Sequence, residues 1–421
     1  HSHDPAPVAL ILHLGNHPID STPITMKAPC LQSLSVLLTL LIVPHLPAQD
    51  APKLSSAEPN LSLKMEIERA IAKGTKFLLS QQNATTGAWS DPEIPAFTAL
   101  ALSAIQGAPG RDPGAVPPEN IRKGYAYLVS HAQPDGGIYA KGLGTYNTAL
   151  SLMALMQSGD PAHIPVITGA RRYLISIQND FDTKGESDNV LDGGIGYAGN
   201  RPHSDLSNTM LSMEALYYAK KFLTDVAPQE LQTTDLDWDA AISFVSRCQN
   251  SEKTVKELGG KTGLRKEDEG GFVYFPGDTK AGEVELPDGK VALRSYASMT
   301  YAGMLSFIYA DMSPEDPRIK AALTWLGANY SLTENPGMGA QGLFYYYNTM
   351  AKALGITGMK KLTLANGEKI PWAEKLALQI FEQQQQDGSW KNAGSNRWME
   401  DNPILVTAYS LLALEHIYRT L

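Results

Sequence analysis

At 421 residues, 43% hydrophobic and 19% charged, the chain has the make-up of ordinary globular protein, with enough apolar material for a large core. Its formal charge of −9, with no Lys/Arg cluster to relieve it, argues against a broad phosphate-binding surface and so against a nucleic-acid partner. In chain order, residues 1–25 precede Met26 and are expected to lie outside the natural product. Met26-Lys27 and the apolar stretch 31–46, ending at Pro47-Ala48-Gln49, read as a secretory signal over 26–48. A retained membrane anchor is the competing reading, because Leu46 stands where a smaller residue is preferred for cleavage. Cleavage would remove Cys30 and leave Cys248 alone, without an intramolecular disulfide, in a secreted or periplasmic protein. Residues 49–60, rich in Pro and small polar residues, read as a linker.

From residue 61 to 421 a repeat takes over. Thr98, Thr148, Thr209, Thr300, Thr349 and Thr407 each open a run of small and apolar residues, as in Thr148-Ala-Leu-Ser-Leu-Met-Ala-Leu. Their spacing runs from 49 to 91 residues, a period near fifty stretched by insertions. Before each run lies an amphipathic stretch, at 61–82, 118–133, 166–178, 236–249, 314–330 and 371–385, patterned as a surface helix. The threonine runs are apolar on nearly every side, as helices enclosed by neighbours should be. Six outer and six inner helices in strict alternation are satisfied by an all-α fold, an α6/α6 toroid whose inner ring surrounds a central cavity. The longest insertion, 251–293, carries Pro287-Asp288-Gly289 between alternating residues and predicts a small β-hairpin near the rim, either a lid or an edge decoration.

The joints between paired helices carry Gly87, Gly136-Gly137, Gly193-Gly194, Gly270-Gly271, Gly342 and Gly388. Phe77-Leu78-Leu79-Ser80-Gln81-Gln82, followed by Gly87-Ala88-Trp89, resembles the Gln and Trp repeat of squalene cyclases and protein prenyltransferase β subunits. Weaker copies involve Gln133 with Gly137-Ile138, Gln178 with Gly194-Ile195, Gln249 with Gly271-Phe272, Trp325-Leu326 with Gly342-Leu343, and Gln384 with Gly388-Ser389-Trp390. The resemblance implies a terpene cyclase-like toroid and, as ligand, an isoprenoid or other elongated lipid.

It also sets chemical expectations that this chain does not meet. Squalene cyclases as a family protonate an alkene with the middle acid of an Asp-x-Asp-Asp motif; here Asp205-Leu206-Ser207-Asn208 keeps only the first acid. An unactivated hydroxyl at Ser207 cannot protonate an isolated double bond. The zinc site of the prenyltransferases has its nearest match at Arg294-Ser295-Tyr296-Ala297-Ser298-Met299, which supplies no anionic ligand, so neither metal nor cofactor is expected. Asp235, Asp237 and Asp239 read as helix-capping acids, and the acidic loop 180–188 as a solvated insertion rather than a calcium site.

Residues just ahead of the inner helices would line one end of the cavity. Asp205 is the candidate acid or base, with His203 and Arg294 in support. Tyr146, Asn147, Asn208, Tyr296, Tyr346, Asn348, Trp398, Glu400 and Asp401 are the candidate ligand-binding residues of the same rim. Three functions stay open: a noncatalytic protein holding an elongated apolar ligand or a partner, a terpene cyclase-like enzyme with a non-standard acid, and a polysaccharide-active toroid using carboxylates or Tyr, His and Arg.

Overall fold

A computed structural model of the chain describes residues 60–112, 114–198, 203–259 and 262–421. The expected signal or anchor and nearly all of the linker fall in residues 1–59, outside the described residues. No described helix is long and apolar enough to cross a membrane.

Outer and inner helices alternate as the sequence predicts: α1 (Leu61–Ser80) and α2 (Pro95–Gln106), α3 (Glu119–Ser130) and α4 (Gly144–Gln157), α5 (Ile164–Ser176) and α6 (Leu206–Val226). The second half continues with α7 (Trp238–Arg247), a short α8 (Glu252–Glu257) within the insertion, α9 (Ala297–Tyr309), α10 (Pro317–Ala328), α11 (Leu343–Ile356), α12 (Trp372–Glu382) and α13 (Pro403–Thr420). The inner helices close a ring, with α2 packed on α4, α4 on α6, α6 on α9, α9 on α11, α11 on α13, and α13 back on α2. Outer helices lie in the grooves between inner neighbours, as α1 does against α13 and α2, and α3 against α2 and α4. Burial follows the patterning: every residue of α9 from Ala297 to Phe307 is buried, whereas α7 buries Ala241, Phe244 and Val245. The fold is an α/α toroid.

In five of the six inner helices the recurrent threonine sits one turn inside rather than at the first residue, and the reason is a hydrogen bond. Its Oγ1 accepts the backbone N–H of the residue that follows the joint glycines: Trp89 on Thr98 at 3.0 Å, Ile138 on Thr148 at 2.9 Å, Ile195 on Thr209 at 2.9 Å, Phe272 on Thr300 at 3.0 Å and Trp390 on Thr407 at 3.0 Å. An apolar residue at that place would leave a buried amide unpaired. The motif glutamines tie one repeat to the next. Gln82 Nε2 donates to Gly87 O of its own joint and to Asn120 O of α3, Gln249 to Gly270 O and Arg318 O, and Gln384 to Gly388 O and to Ala70 O of α1. That last bond links the final joint to the first helix.

Two copies depart from this scheme. Gln133 donates within its own joint, to His131 O and Tyr139 O, and its backbone N–H meets Gly137 O as those of Asn83 and Asn250 meet Ala88 O and Gly271 O. It therefore stands one residue past the glutamine position, which Ala132 fills. In the fifth joint Asn335 takes the place of Asn250 rather than of the glutamine, its N–H meeting Gly339 O and its side chain bonding Ser298 and Gln341 O, while Thr349 Oγ1 turns back to Tyr345 O of its own helix.

The insertion contains the predicted hairpin, β2 (Glu283–Glu285) antiparallel to β3 (Val291–Leu293), and adds β1 (Thr262–Gly263) parallel to β3. A second hairpin, β4 (Leu362–Thr363) and β5 (Lys369–Ile370), closes around Asn366-Gly367, a turn signal present in the sequence.

Gly87, Gly136, Gly270 and Gly388 all have φ between 79° and 92°, and a Cβ on any of them would lie 2.5 Å from a carbonyl of the next outer helix. Gly277 shares the positive φ, at 92°, but has open space around it. Exchanging Gly277 for Ala should therefore cost only the left-handed backbone penalty, about 1–2 kcal/mol. Gly388→Ala, driven against Lys73 O as well, should lower unfolding free energy by clearly more; equal losses in urea melts would show that close inter-repeat approach is not what fixes these glycines.

Candidate functional site at the mouth of the ring

Because every joint feeds an inner helix in the same direction, the N-termini of the inner helices gather at one end of the ring. Asp205 is the N-cap of α6, with its Oδ1 accepting Asn208 N–H at 2.9 Å and its Oδ2 accepting Asn208 Nδ2–H at 2.8 Å. The same Oδ2 lies 3.2 Å from His203 Nε2. The Asp205 side chain is fully buried, whereas His203 keeps 37% of its surface exposed. The candidate pair is thus brought together, but with the imidazole, not the carboxylate, facing outward.

Tyr197 stacks on His203, ring centres 5.7 Å apart, and its hydroxyl accepts from that of Tyr274 at 3.3 Å. Tyr274 arrives from the fourth joint, and its backbone carbonyl accepts Leu206 N–H at 2.8 Å, so two repeats build one wall. Burial, and then the charge of Asp205, push the Tyr274 hydroxyl well above the ordinary phenol range. The sequence named neither tyrosine, because they belong to different repeats and no period relates them.

Across the axis, Tyr146 and Tyr409 hydroxyls meet at 3.0 Å, and Ser207 Oγ reaches the Tyr345 hydroxyl at 3.4 Å. Burial raises the Tyr146 hydroxyl to about 12. Seven residues further along the same two helices, about 10 Å deeper, Lys352 Nζ of α11 donates to Glu214 Oε1 at 2.7 Å and Oε2 at 2.9 Å of α6. Between these levels, on the face that Tyr345 and Lys352 share, the buried Asn348 Oδ1 has no hydrogen-bond partner among the described residues. The axis is therefore polar at successive depths, which does not suit the isoprenoid or other elongated lipid that the sequence resemblance implies. An apolar chain threaded there would strip water or partners from these groups without replacing them.

The other candidates divide. Asn147 is structural, its Oδ1 accepting Ala96 N–H of α2 at 3.0 Å and its Nδ2 donating to Gly142 O at 3.3 Å. Tyr346 turns its hydroxyl to Ser331 O, and Tyr296 is 2% exposed. Glu400 is buried and accepts Tyr345 N–H at 2.8 Å and Asn392 Nδ2–H at 2.7 Å, capping α11, whose own N-cap Gly342 has no side chain to do so. Burial raises its carboxyl above the usual range. Arg294 is exposed, with its charge acting on Asp268, and Asp401 is exposed too. Trp398 is 43% exposed beside the mouth, with the Arg397 guanidinium 4.6 Å from its ring centre; Trp398 and Met399 both hold positive φ, 56° and 63°.

Features read as structural in the sequence have structural partners. Asp237 caps α7 by accepting Ala240 N–H, and Asp235 pairs with Arg171 and Lys220. In the acidic loop, Asp180, Asp188 and Asp192 accept backbone N–H groups of the loop itself. Among the described residues, no group of three or more His, Cys, Asp or Glu is placed to hold a metal ion.

No protein-family model matches the chain, and no curated protein sequence does. Solved structures similar in shape include a type II terpene cyclase from Scytonema, 12% identical, covering 85% of this chain and all of its own, at a TM-score of 0.48. A possible member of family GH105 from Salmonella enterica is 13% identical, covering 89% of this chain and 99% of its own, at 0.49. A GH76 α-mannanase from Bacteroides thetaiotaomicron is 11% identical, covering 82% of this chain and 95% of its own, at 0.48. Similarity at this level does not fix the chemistry of the chain.

At the far end of the ring Glu415, buried and held by Arg419 at 3.2 Å, has its carboxyl raised to about 8, burial outweighing the arginine. The adjacent His416 is pushed well below its ordinary value by burial and by Lys352 and Arg419. Between the unfolded and folded values of Glu415 the native state holds a proton that the unfolded chain has released, so stability falls as pH rises through that window. His416 acts oppositely, and only below about 6.5, where the unfolded imidazole protonates. From pH 6.5 to 8 the glutamate should stand out: unfolding free energy should drop by up to about 2 kcal/mol. The Glu415→Gln variant should lose much less over the same interval in urea titrations.

Proposed function

We propose that this chain is an exported toroid enzyme that works at the mouth of its ring, with His203 as the acid–base group and Asp205 as the residue that orients it. The observation that carries this reading is the 3.2 Å contact between a fully buried carboxylate and a part-exposed imidazole. A buried aspartate of this kind fixes ring orientation and stabilises the imidazolium formed when the ring takes up a proton. The part-exposed ring then brings that proton capacity to the surface at the mouth of the ring. Neither Asp205 nor Glu400 is available as a paired glycosidase carboxylate, since each is buried and occupied with capping. The ligand that suits the mouth is oxygen-rich, a polysaccharide in preference to a long hydrocarbon. The hydroxyls of Tyr197 and Tyr274 offer hydrogen bonds, and the polar axis below, with the paired hydroxyls of Tyr146 and Tyr409 and of Ser207 and Tyr345, opposes deep entry of an apolar tail.

A second reading keeps the isoprenoid ligand and has one observation in its favour. Tyr345 and Tyr409 set their rings 6.0 Å apart, edge to face, at the mouth, and such faces stabilise cations. Its acid would have to come from outside the Asp205-Leu206-Ser207-Asn208 segment, since Asp205 is engaged with His203.

On a panel of polysaccharides, the intact protein should release new chain ends. Changing His203 to Asn should reduce kcat by about 100-fold or more, and Asp205→Asn should also reduce it, with circular dichroism unchanged. Isoprenoid recovered in stoichiometric amount from the purified protein, together with no saccharide turnover, would replace this reading by the second.

A further inference from the structure

We infer that Arg397 and Trp398 form a subsite for an anionic sugar unit, one carrying a carboxylate or a sulfate ester, beside the His203–Asp205 pair; this rests on the reading just proposed and names its substrate class. Trp89, Trp372 and Trp390 are fully buried and Trp325 nearly so, whereas Trp398 stands 43% exposed. It is held there in a backbone conformation that bulky residues rarely adopt, and so is Met399 after it. Gly342 packs against it, and a Cβ there would come 3.0 Å from the Trp398 ring, so the glycine makes room for the indole. The part of the indole that neither Gly342 nor the Arg397 guanidinium covers gives the C–H face of a sugar ring a surface to stack on.

The charge comes from Arg397. Its guanidinium lies 4.6 Å from the Trp398 ring centre and is tethered through Nη1 to Gln341 Oε1. Among the described residues no carboxylate pairs with it, so donors of the planar fork stay available for an oxyanion. The tether also places it. Gln341 O accepts Asn335 Nδ2 at 3.0 Å, and Asn335 Nδ2 reaches Ser298 Oγ at 3.1 Å, in the first turn of α9. Tyr296, the N-cap of that helix, donates its backbone N–H to Phe272 O at 3.3 Å, two residues before Tyr274, whose carbonyl holds Leu206 next to Asp205. One rim therefore carries the acid–base pair on one side of Tyr296 and a cation on an aromatic plate on the other. A chain lying across the mouth would meet both.

The test uses three hexasaccharides, one of uronate units, one sulfated and one neutral, with tryptophan fluorescence and calorimetry on the whole protein. At least one anionic hexamer should bind and quench emission, more weakly as salt is raised, and which of the two does so identifies the anion. Arg397→Gln should weaken that binding by about tenfold or more, the loss of a charge-assisted contact, and leave the neutral hexamer unaffected. Trp398→Ala should remove the quenching. Equal affinity for neutral and anionic chains, or unchanged affinity in Arg397→Gln, overturns the subsite. If that happens while His203→Asn still abolishes turnover, the acid–base reading survives without it. If no hexamer binds, both fall.

Discussion

The fold depends on one arrangement, repeated around the ring: a left-handed glycine whose backbone touches the next outer helix. At Gly87, Gly136, Gly270 and Gly388 any side chain would collide with a carbonyl of the following repeat. The close approach brings the joint within reach of the glutamine that spans it, and the inner threonine satisfies the amide just beyond. Each repeat is incomplete without its neighbour, so the array has no natural stopping point until it meets itself. Gln384 reaching Ala70 O is where it does.

Closing the ring has a consequence for the interior. Six parallel inner helices present their N-terminal turns at one end, where amide groups point outward without intrahelical partners. Those amides make buried carboxylates tolerable there, and both Asp205 and Glu400 are held by them. Asp205, the candidate acid or base of the sequence, and Glu400, a candidate ligand-binding residue, are thereby fixed as caps. Asp205 still acts on its surroundings because one of its oxygens is shared with His203, whereas Glu400, enclosed by α11 and Asn392, has no such neighbour among its hydrogen bonds.

Local chemistry was legible in the sequence wherever it recurs. The threonines, glycines and most of the glutamines could be read because one hydrogen-bonding need is met by one residue type at one place. Reading failed where the geometry was satisfied by other means. Gln133 looked like the motif glutamine because the second joint is a residue shorter in register, and the fifth joint, with Asn335 at the following position, carries no glutamine to read. Contacts across the ring were beyond sequence reading altogether. That Tyr146 should meet Tyr409, or Glu214 meet Lys352, depends on the ring's diameter, which no local pattern encodes. Once α11 is known to be helical, however, Tyr345, Asn348 and Lys352 fall on one face, so the triple tyrosine 345–347 held a usable signal.

The interior itself weighs most on what the ring can hold. A ring built to enclose a hydrocarbon chain would place its polar groups at the ends and leave the length between them apolar. Here the hydroxyls of Tyr146, Tyr409 and Tyr345, the unpartnered Asn348 Oδ1 and the Glu214–Lys352 pair occupy successive levels along the axis. A buried ion pair in such a place is weak support for stability, because replacing it with well-packed apolar side chains is often neutral or better. It is a strong barrier to an apolar guest, which would have to separate or desolvate the charges with nothing to offer in exchange. Binding at the rim avoids that cost, and it is at the rim that the part-exposed imidazole of His203, the hydroxyls of Tyr197 and Tyr274 and the Arg397 guanidinium are found.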